Sequence, residues 1–138
     1  MGGRDLSSQM KSNHQFTVRR TQAGLGLFTE KPIHRGDFVI EYTGALIPNS
    51  ATERMKGRYL FQVNSRWTID GVGRENVSRY INHACKPNCQ AFIKRSRILI
   101  YAKRNIAAGE ELSYDYGKEY FEEFILPEGC RCASCAAR

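Results

Sequence analysis

Long apolar runs are missing from this sequence. No stretch of it approaches the ~18 consecutive apolar residues that a membrane-spanning helix needs, so we expect no membrane contact. Residues 1–14 also lack the apolar core and the small-residue cleavage site of a secretory signal. We therefore expect an intracellular protein, whose cysteines stay reduced and available to metal ions.

Internal repeats, low-complexity segments and a parallel strand–helix–strand pattern are missing as well. The last absence argues against a dinucleotide-binding fold, although the chain holds 12 glycines. With 138 residues, of which 41% are hydrophobic and 25% charged, the composition is that of one globular domain with room for a short tail.

The sequence does contain a series of short segments that are rich in β-branched and aromatic residues and are mostly separated by Gly, Pro or Asn. They predict strands over residues 16–20, 26–28, 38–44, 59–63, 67–70, 90–93, 98–102 and 111–115. Other patterns predict a hairpin turn over 94–96 and helices over 50–55, 74–80 and 118–126, the last ended by Pro127. A mostly β fold with few short helices follows.

Charge is unevenly distributed along the chain. Residues 105–129 hold seven of the fourteen acidic residues and one base, a net charge of −6, whereas the remainder carries +13. The acidic segment could hold a basic peptide, and the basic body, with Lys94, Arg95 and Arg97, could lie against nucleic acid. A surface that only keeps the protein soluble explains the same charges equally well.

Cysteines give the strongest chemical signal. Cys130, Cys132 and Cys135 form a C-x-C-x-x-C cluster, and three thiolates cannot complete a tetrahedral metal site. The fourth ligand would have to be Cys85 or Cys89, the remaining two of the five cysteines. Such a site would be structural, because four thiolates leave no open position for water. Unrelated free or buried cysteines are the alternative interpretation.

Four further motifs precede the cysteine cluster. They are Gly24-Leu25-Gly26-Leu27-Phe28, Glu41-Tyr42-Thr43-Gly44, the stretch from Arg79 to Cys89 with Asn82-His83 in it, and the stretch from Gly109 to Gly117 with Tyr114-Asp115-Tyr116 in it. In this order the motifs resemble a SET-domain protein lysine methyltransferase with a zinc-binding post-SET segment. The Asn-His and Tyr-Asp-Tyr motifs are the most specific part of the resemblance.

The resemblance implies a fold of short curved sheets with a pseudoknot, in which the Asn-His strand threads through a loop near the Tyr-Asp-Tyr segment. It divides the chain into a flexible tail over residues 1–14, a SET domain over 15–117 and a post-SET segment over 118–138. The family's zinc ligands are matched by Cys85, Cys130, Cys132 and Cys135. Cys89 is then left over.

The implied activity is transfer of a methyl group from S-adenosylmethionine to a lysine side chain. The positions that bind this cofactor in the family are matched by Gly24, Leu25, Gly26, Tyr59, Arg79, Asn82 and His83. Tyr116 matches the catalytic tyrosine, and Tyr42 and Tyr114 match residues of the lysine channel. Because a tyrosine at the position of Tyr114 limits methyl addition in the family, we expect mainly monomethyl-lysine.

The implied substrate is a histone or another basic, nucleic-acid-bound protein, with any DNA contact made indirectly through the basic surface. We expect a monomer, placed in the nucleus or on the chromosome if the source is eukaryotic or the protein is an effector, and otherwise in the cytoplasm. The alternative is a catalytically inactive module that binds the cofactor or zinc. The intact tyrosines and Asn-His pair favour the enzyme, since a degenerate module should have lost a polar group of the site.

Overall fold

The computed structural model describes residues 11–52, 55, 59–132 and 135. This part of the chain contains ten strands and several short helical turns, joined by loops. The strands are β1 Phe16–Thr21, β2 Gly24–Thr29, β3 Phe38–Tyr42, β4 Ala45–Pro48, β5 Leu60–Gln62, β6 Trp67–Asp70, β7 Asn82–His83, β8 Cys89–Lys94, β9 Arg97–Ala102 and β10 Ser113–Tyr114. The helical turns are α1 Asn49–Thr52, a 3-10 turn Val77–Tyr80, α2 Lys118–Tyr120, a π-helical turn Phe121–Ile125 and a 3-10 turn Leu126–Glu128. The predicted mostly β fold is confirmed.

The strands form four small sheets. β1 and β2 form a hairpin, β9 lies between β3 and β8, β6 lies between β4 and β5, and β7 pairs with β10. β9 is rich in β-branched residues, which favour a strand that packs on a core, and both Ile98 and Ile100 are completely buried. Within the described ranges, no helix is both long and apolar enough to cross a bilayer.

The hairpin turn between β8 and β9 has the predicted position. Arg95 and Ser96 have φ values of 52° and 60°, in the left-handed region. The tight two-residue hairpin turn that matches strand twist requires positive φ at both central positions. Neither residue is a glycine, so this turn holds two side chains in a conformation that L-residues rarely adopt.

One core connects the small sheets. Its members include aliphatic side chains from β2, β3, β6 and β9 and from the segments before β3, β7 and β10. The completely buried ones are Leu27, Ile33, Val39, Ile69, Ile81, Ile98, Ile100, Ile106 and Leu112. Burial of each such side chain contributes roughly 1.5–3 kcal/mol. The core therefore holds the residues that lead into β7 and β10 in place.

The parallel pairing of β7 with β10 positions the site. Asn82 lies opposite Ser113 and His83 lies opposite Tyr114. A backbone hydrogen bond of 3.2 Å, from the Ala84 nitrogen to the Tyr114 carbonyl, continues the pairing. The Asn-His motif is thereby fixed beside the Tyr-Asp-Tyr motif, although about thirty residues separate them in the chain.

Some element boundaries differ from the prediction. The strand expected over 38–44 ends at Tyr42, because the Thr43 nitrogen donates to Asn76 Oδ1 at 3.0 Å and so leaves the ladder of β3; the next strand, β4, begins at Ala45. The expected helix over 74–80 is reduced to the turn Val77–Tyr80. Pro127 does not end the C-terminal helical turns, which continue to Glu128, because it lies in the first positions of a new turn, where no N–H is required.

Candidate functional site

A groove with a volume of about 1310 Å³ lies between β2, β5, β7, β10 and the C-terminal helical turns. A pocket for one small molecule typically has ~300–1,000 Å³, so this groove has room for two ligands. The predicted cofactor-binding and catalytic residues that line it are Gly24, Leu25, Tyr42, Tyr59, Arg79, Asn82, His83, Tyr114 and Tyr116. Gly26 is not part of the lining. The fold therefore brings nearly all of them together.

Aromatic rings form a continuous wall of the groove. The ring centroids of Tyr42 and Phe61 are 5.4 Å apart, those of Phe61 and Tyr114 are 6.3 Å apart, and those of Tyr114 and Tyr116 are 4.9 Å apart. Tyr120 continues the wall at 5.0 Å from Tyr116. Such a wall can enclose the alkyl stem of a long side chain and tolerate a cation at its end.

Phe61 and Tyr120 were not predicted as site residues. Phe61 is two residues from Tyr59, so the period of a strand places both side chains on one face, and this signal was available in the sequence. Tyr120 follows Tyr116 by four residues across Gly117, and no regular period connects them. Only the three-dimensional arrangement brings Tyr120 to the wall.

Two phenols of this wall, those of Tyr42 and Tyr114, are held in the neutral form. Burial, followed by the nearby Tyr116, raises the pKa of Tyr42 and of Tyr114 far above the usual value for tyrosine. The Tyr42 hydroxyl donates to the Tyr59 carbonyl at 2.7 Å, and the Tyr116 hydroxyl donates to the Ile81 carbonyl. These groups are therefore suited to orienting a nitrogen atom and unsuited to acting as a base.

Arg79 lines the groove beside Tyr59 and Tyr80. Its guanidinium carbon is 4.5 Å from the centroid of the Tyr59 ring and 5.2 Å from that of Tyr80, and a terminal nitrogen donates to the Val72 carbonyl. The Arg79 Nε atom is buried and has no hydrogen-bond partner among the described residues. A buried, unsatisfied donor on a cation fits a bound carboxylate, such as that of an amino-acid-like ligand.

His83 connects the aromatic wall to the cysteine cluster. The Tyr116 backbone nitrogen donates to His83 Nδ1 at 3.1 Å, so the neutral ring carries its proton on Nε2. That nitrogen lies 3.6 Å from Cys85 Sγ. Burial lowers the pKa of His83, although Asp115 opposes the shift, and the neutral form is thereby favoured. The His83 ring, which was predicted to bind the cofactor, therefore contacts both the aromatic wall and the cysteine cluster.

Four of the five cysteines meet at one end of the groove. The sulfur atoms of Cys85, Cys130, Cys132 and Cys135 lie within 4.8 Å of one another. Cys85 Sγ is 3.9 Å from that of Cys130 and 3.6 Å from that of Cys135. Tetrahedral zinc with bonds of ~2.3 Å would hold its sulfur ligands about 3.8 Å apart, so these side chains fit such an ion.

Cys89 does not belong to this cluster. It is the first residue of β8, its side chain is buried in the core, and burial raises the pKa of its thiol to about 12. Cys85 lies in the exposed turn after β7, close to the C-terminal segment. The structure thus distinguishes two cysteines that the spacing left equivalent.

Comparison with known proteins accounts for this arrangement. Residues 24–117 match the SET domain. The chain belongs to the SET-domain family. The match covers the glycine, Asn-His and Tyr-Asp-Tyr motifs, and the cysteine cluster that follows fits a post-SET zinc site.

Several histone-lysine N-methyltransferases share this SET domain. Histone-lysine N-methyltransferase 2D of Homo sapiens is 36% identical over 147 residues, which cover 98% of the chain and 3% of that protein. Histone-lysine N-methyltransferase trithorax of Drosophila melanogaster is 37% identical over 124 residues, 81% of the chain and 3% of that protein. Histone-lysine N-methyltransferase ATXR7 of Arabidopsis thaliana is 39% identical over 122 residues, 79% of the chain and 8% of that protein. The chain spans a small fraction of these relatives.

A solved structure shows the same SET fold. It is a humanized mutant of the Chaetomium thermophilum Polycomb Repressive Complex 2 bound to the inhibitor GSK126. The TM-score is 0.69 at 36% sequence identity, and the similarity covers 78% of this chain and 15% of that chain.

Proposed function

We propose that the protein transfers a methyl group from S-adenosylmethionine to the Nζ atom of a lysine in a histone or another basic protein. The observation that carries the proposal is one groove that joins an aromatic wall to Asn82 and Arg79. The names of the relatives, histone-lysine N-methyltransferases from animals and a plant, support the same reaction.

The chemistry requires alignment and a neutral amine. When bound, the cofactor supplies a methyl group on a sulfonium, and the new N–C bond forms as the S–C bond breaks. A lysine ammonium has a pKa of ~10.4 in water, and transfer into an aromatic channel lowers it by desolvation. The proton leaves to solvent before methyl transfer. Tyr42, Tyr114 and Tyr116 would then hold the nitrogen in line, where positioning is the main source of rate acceleration.

The remaining assignments belong to the same proposal. The SET domain spans residues 15–117, and the post-SET segment over 118–138 binds one structural zinc ion through the four clustered cysteines. Gly24, Leu25, Tyr59, Arg79, Asn82 and His83 hold the cofactor. The protein acts as a monomer. A histone substrate, which the names of its relatives state, places it on chromatin in the nucleus.

The reaction can be tested with methyl-labelled S-adenosylmethionine and mixed histones. We expect label in histone bands, and none when the lysines have first been acetylated, because acetylation removes the nucleophile. Cofactor binding without label in any histone or other basic protein would support the inactive module instead.

Tyr114→Phe should increase dimethyl- and trimethyl-lysine without abolishing the first transfer. Tyr114 is buried between Phe61 and Tyr116, and in the proposed complex its hydroxyl would lie next to the reacting nitrogen. Removal of that oxygen makes room for a methyl group and removes a hydrogen bond worth ~0.5–1.5 kcal/mol, enough to change the product ratio several-fold. Mass spectrometry of the product peptide measures the ratio.

Tyr101→Phe is the matched control for this change, because Tyr101 packs on Phe38 and Phe92 away from the groove. It should leave the product ratio as it is. Rapid accumulation of trimethyl-lysine with the unmodified protein would show that Tyr114 does not limit methylation.

The acidic segment is proposed to favour basic peptides. Glu122 is exposed, with Lys118 Nζ at 3.9 Å, whereas the side chains of Glu119 and Glu123 lie outside those described. Replacing all three glutamates by glutamine should raise the peptide KM at low ionic strength, and the difference should fade with added salt because exposed charges are screened. A KM that is equal at every ionic strength would leave these residues as a solvated surface.

We propose that Lys94 and Arg95 make the indirect nucleic-acid contact. Arg97, grouped with them on sequence alone, does not take part. Arg97 makes a bidentate pair with the buried Glu41, whose oxygens lie 2.7 and 3.1 Å from guanidinium nitrogens. Lys94 and Arg95 are exposed beside it. If the contact exists, replacing both by glutamine lowers the preference for DNA-bound over free substrate.

A further inference from the structure

Glu111 lies beside Asn82 at the edge of the groove. Its Oε2 atom accepts a hydrogen bond of 2.9 Å from Asn82 Nδ2, and the same nitrogen donates to the Leu25 carbonyl at 3.0 Å. A side-chain amide has two N–H donors and one oxygen acceptor. Both donors of Asn82 are therefore used within the protein, and Oδ1 is the atom that remains for a ligand.

We propose that Glu111 is a positioning residue for the cofactor, which fixes the Asn82 amide so that Oδ1 accepts a hydrogen bond from the α-ammonium group of S-adenosylmethionine. This inference rests on the proposed function. An amide that donates to a carboxylate is polarised, which makes its oxygen a stronger acceptor. The ligand group at Asn82 is then a cationic donor, and a carboxylate is disfavoured there.

The charge around Glu111 supports this role. Among the described residues, no lysine, arginine or histidine pairs with Glu111, whereas its neighbour Glu110 pairs with Arg104. The Glu111 carboxylate therefore keeps its negative charge uncompensated by a nearby protein cation. Such a charge polarises the Asn82 amide that donates to it, so Oδ1 becomes a stronger acceptor for a cationic donor.

Gly26 supports the same arrangement. A Cβ atom at this position would lie 2.5 Å from Glu111 Oε2 and 2.9 Å from Thr21 Cγ2, so a larger residue would displace the carboxylate. Gly26 does not line the groove, although its place in the glycine motif predicted a direct contact with the cofactor. It instead leaves space for Glu111 to reach Asn82.

Two backbone contacts hold Glu111 at this point. The Leu112 nitrogen donates to the Leu27 carbonyl at 2.8 Å, and Phe28 and Glu111 form an antiparallel bridge. On the other side, Ser113 lies opposite Asn82 in the β7–β10 pair. The Glu111 backbone is thus held between β2 and β7. From this position the carboxylate contacts Asn82 directly, so a change in its charge alters the Asn82 hydrogen bond.

A double-mutant cycle tests the proposal. The dissociation constant for S-adenosylmethionine is measured by calorimetry for the unmodified protein, Glu111→Gln, Asn82→Ala and the double variant. We expect about tenfold weaker binding in Glu111→Gln, because a neutral amide oxygen replaces the charged acceptor of the Asn82 hydrogen bond. The double variant should bind no more weakly than Asn82→Ala, because Glu111 acts through Asn82. Additive losses would overturn the proposal.

Glu110→Gln is the matched control. It removes the same charge one residue away, where the carboxylate pairs with Arg104 and accepts from the Ala107 nitrogen. Its affinity for the cofactor should equal that of the unmodified protein. An equal loss of affinity in both variants would indicate a general charge effect and would also overturn the proposal.

A ligand that lacks the α-amino group separates this inference from the proposed function. The unmodified protein should prefer S-adenosylhomocysteine over its desamino analogue, and Glu111→Gln should reduce that preference about tenfold. If the unmodified protein binds neither S-adenosylmethionine nor S-adenosylhomocysteine, the proposed function fails. If it binds both and Glu111→Gln does not change the preference, the role of Glu111 alone is overturned.

If Glu111→Gln does not melt cooperatively, a second pair of variants tests the proposal by exchanging the hydrogen-bond donor and acceptor between positions 82 and 111. Asn82→Asp places two carboxylates face to face and should abolish cofactor binding. Adding Glu111→Gln to it restores a donor–acceptor pair with reversed polarity and should recover part of the affinity. If the folded double variant recovers none of the cofactor affinity, Glu111 does not act through its direct contact with Asn82, and the proposal is overturned.

Discussion

Tyr116→Phe should lower the rate of methyl transfer by about a hundredfold while cofactor affinity stays within a few-fold of the unmodified protein. Loss of one positioned hydrogen-bonding group at a reacting centre typically has an effect of about this size on turnover. The hydroxyl donates to the Ile81 carbonyl, so its removal also lowers the free energy of unfolding by about 1 kcal/mol. Single-turnover kinetics, calorimetry and thermal melting measure the three quantities.

Tyr101→Phe is again the control, since it removes the same atom on a surface away from the groove. It should leave the rate of methyl transfer unchanged. Full activity of Tyr116→Phe would refute the assignment of Tyr116. A fall in cofactor affinity as large as the fall in rate would instead give this tyrosine a binding role.

Purified protein should contain about one zinc ion per chain, and removal of the ion should strongly destabilise the C-terminal segment. Structural zinc sites contribute ~10–16 kcal/mol of binding free energy, which becomes folding free energy because the site does not exist in the unfolded chain. Cys130 and Cys132 also line the groove, so loss of zinc should weaken cofactor binding. Metal analysis, thermal melting and calorimetry after chelation measure these effects.

Cys85→Ser and Cys89→Ser form a matched pair for this prediction. Cys85 lies in the cluster and Cys89 is buried in β8, so the first variant should lose zinc and the second should keep it. The reverse result would reassign the fourth ligand. An active preparation without zinc would rule out the site.

The motifs predicted the family, the mostly β fold and the residues that meet in the groove. Residue spacing alone did not decide which cysteine, Cys85 or Cys89, completes the cluster. Cys85 and Cys89 are four residues apart in one loop, and thiolate counting treats them alike. What distinguishes them is the start of β8 at Cys89, where the inward face of the strand buries the side chain. The sequence pattern predicted the hairpin with β9 but began the strand at residue 90, so it left Cys89 outside the buried strand.

The sequence did not reveal the residues that position another residue of the site without contacting the ligand themselves. Glu111 belongs to an acidic pair whose two members look equivalent in the chain, yet Glu110 meets Arg104 and Glu111 meets Asn82. Gly26 was expected to contact the cofactor, and only the position of the Glu111 carboxylate gives it another explanation. Such contacts join segments that are far apart in sequence, so no local period encodes them.

If the four cysteines bind zinc and the groove binds the cofactor, the His83 ring would link metal occupancy to cofactor affinity. Its Nδ1 atom accepts from the backbone of Tyr116, and its Nε2 atom faces the sulfur of Cys85. If metal binding to the cysteines strengthens cofactor binding by some factor, cofactor binding strengthens metal binding by the same factor, because coupling free energies are reciprocal. A cell that depletes the metal would therefore release the cofactor, and a saturating cofactor would protect the metal from chelators.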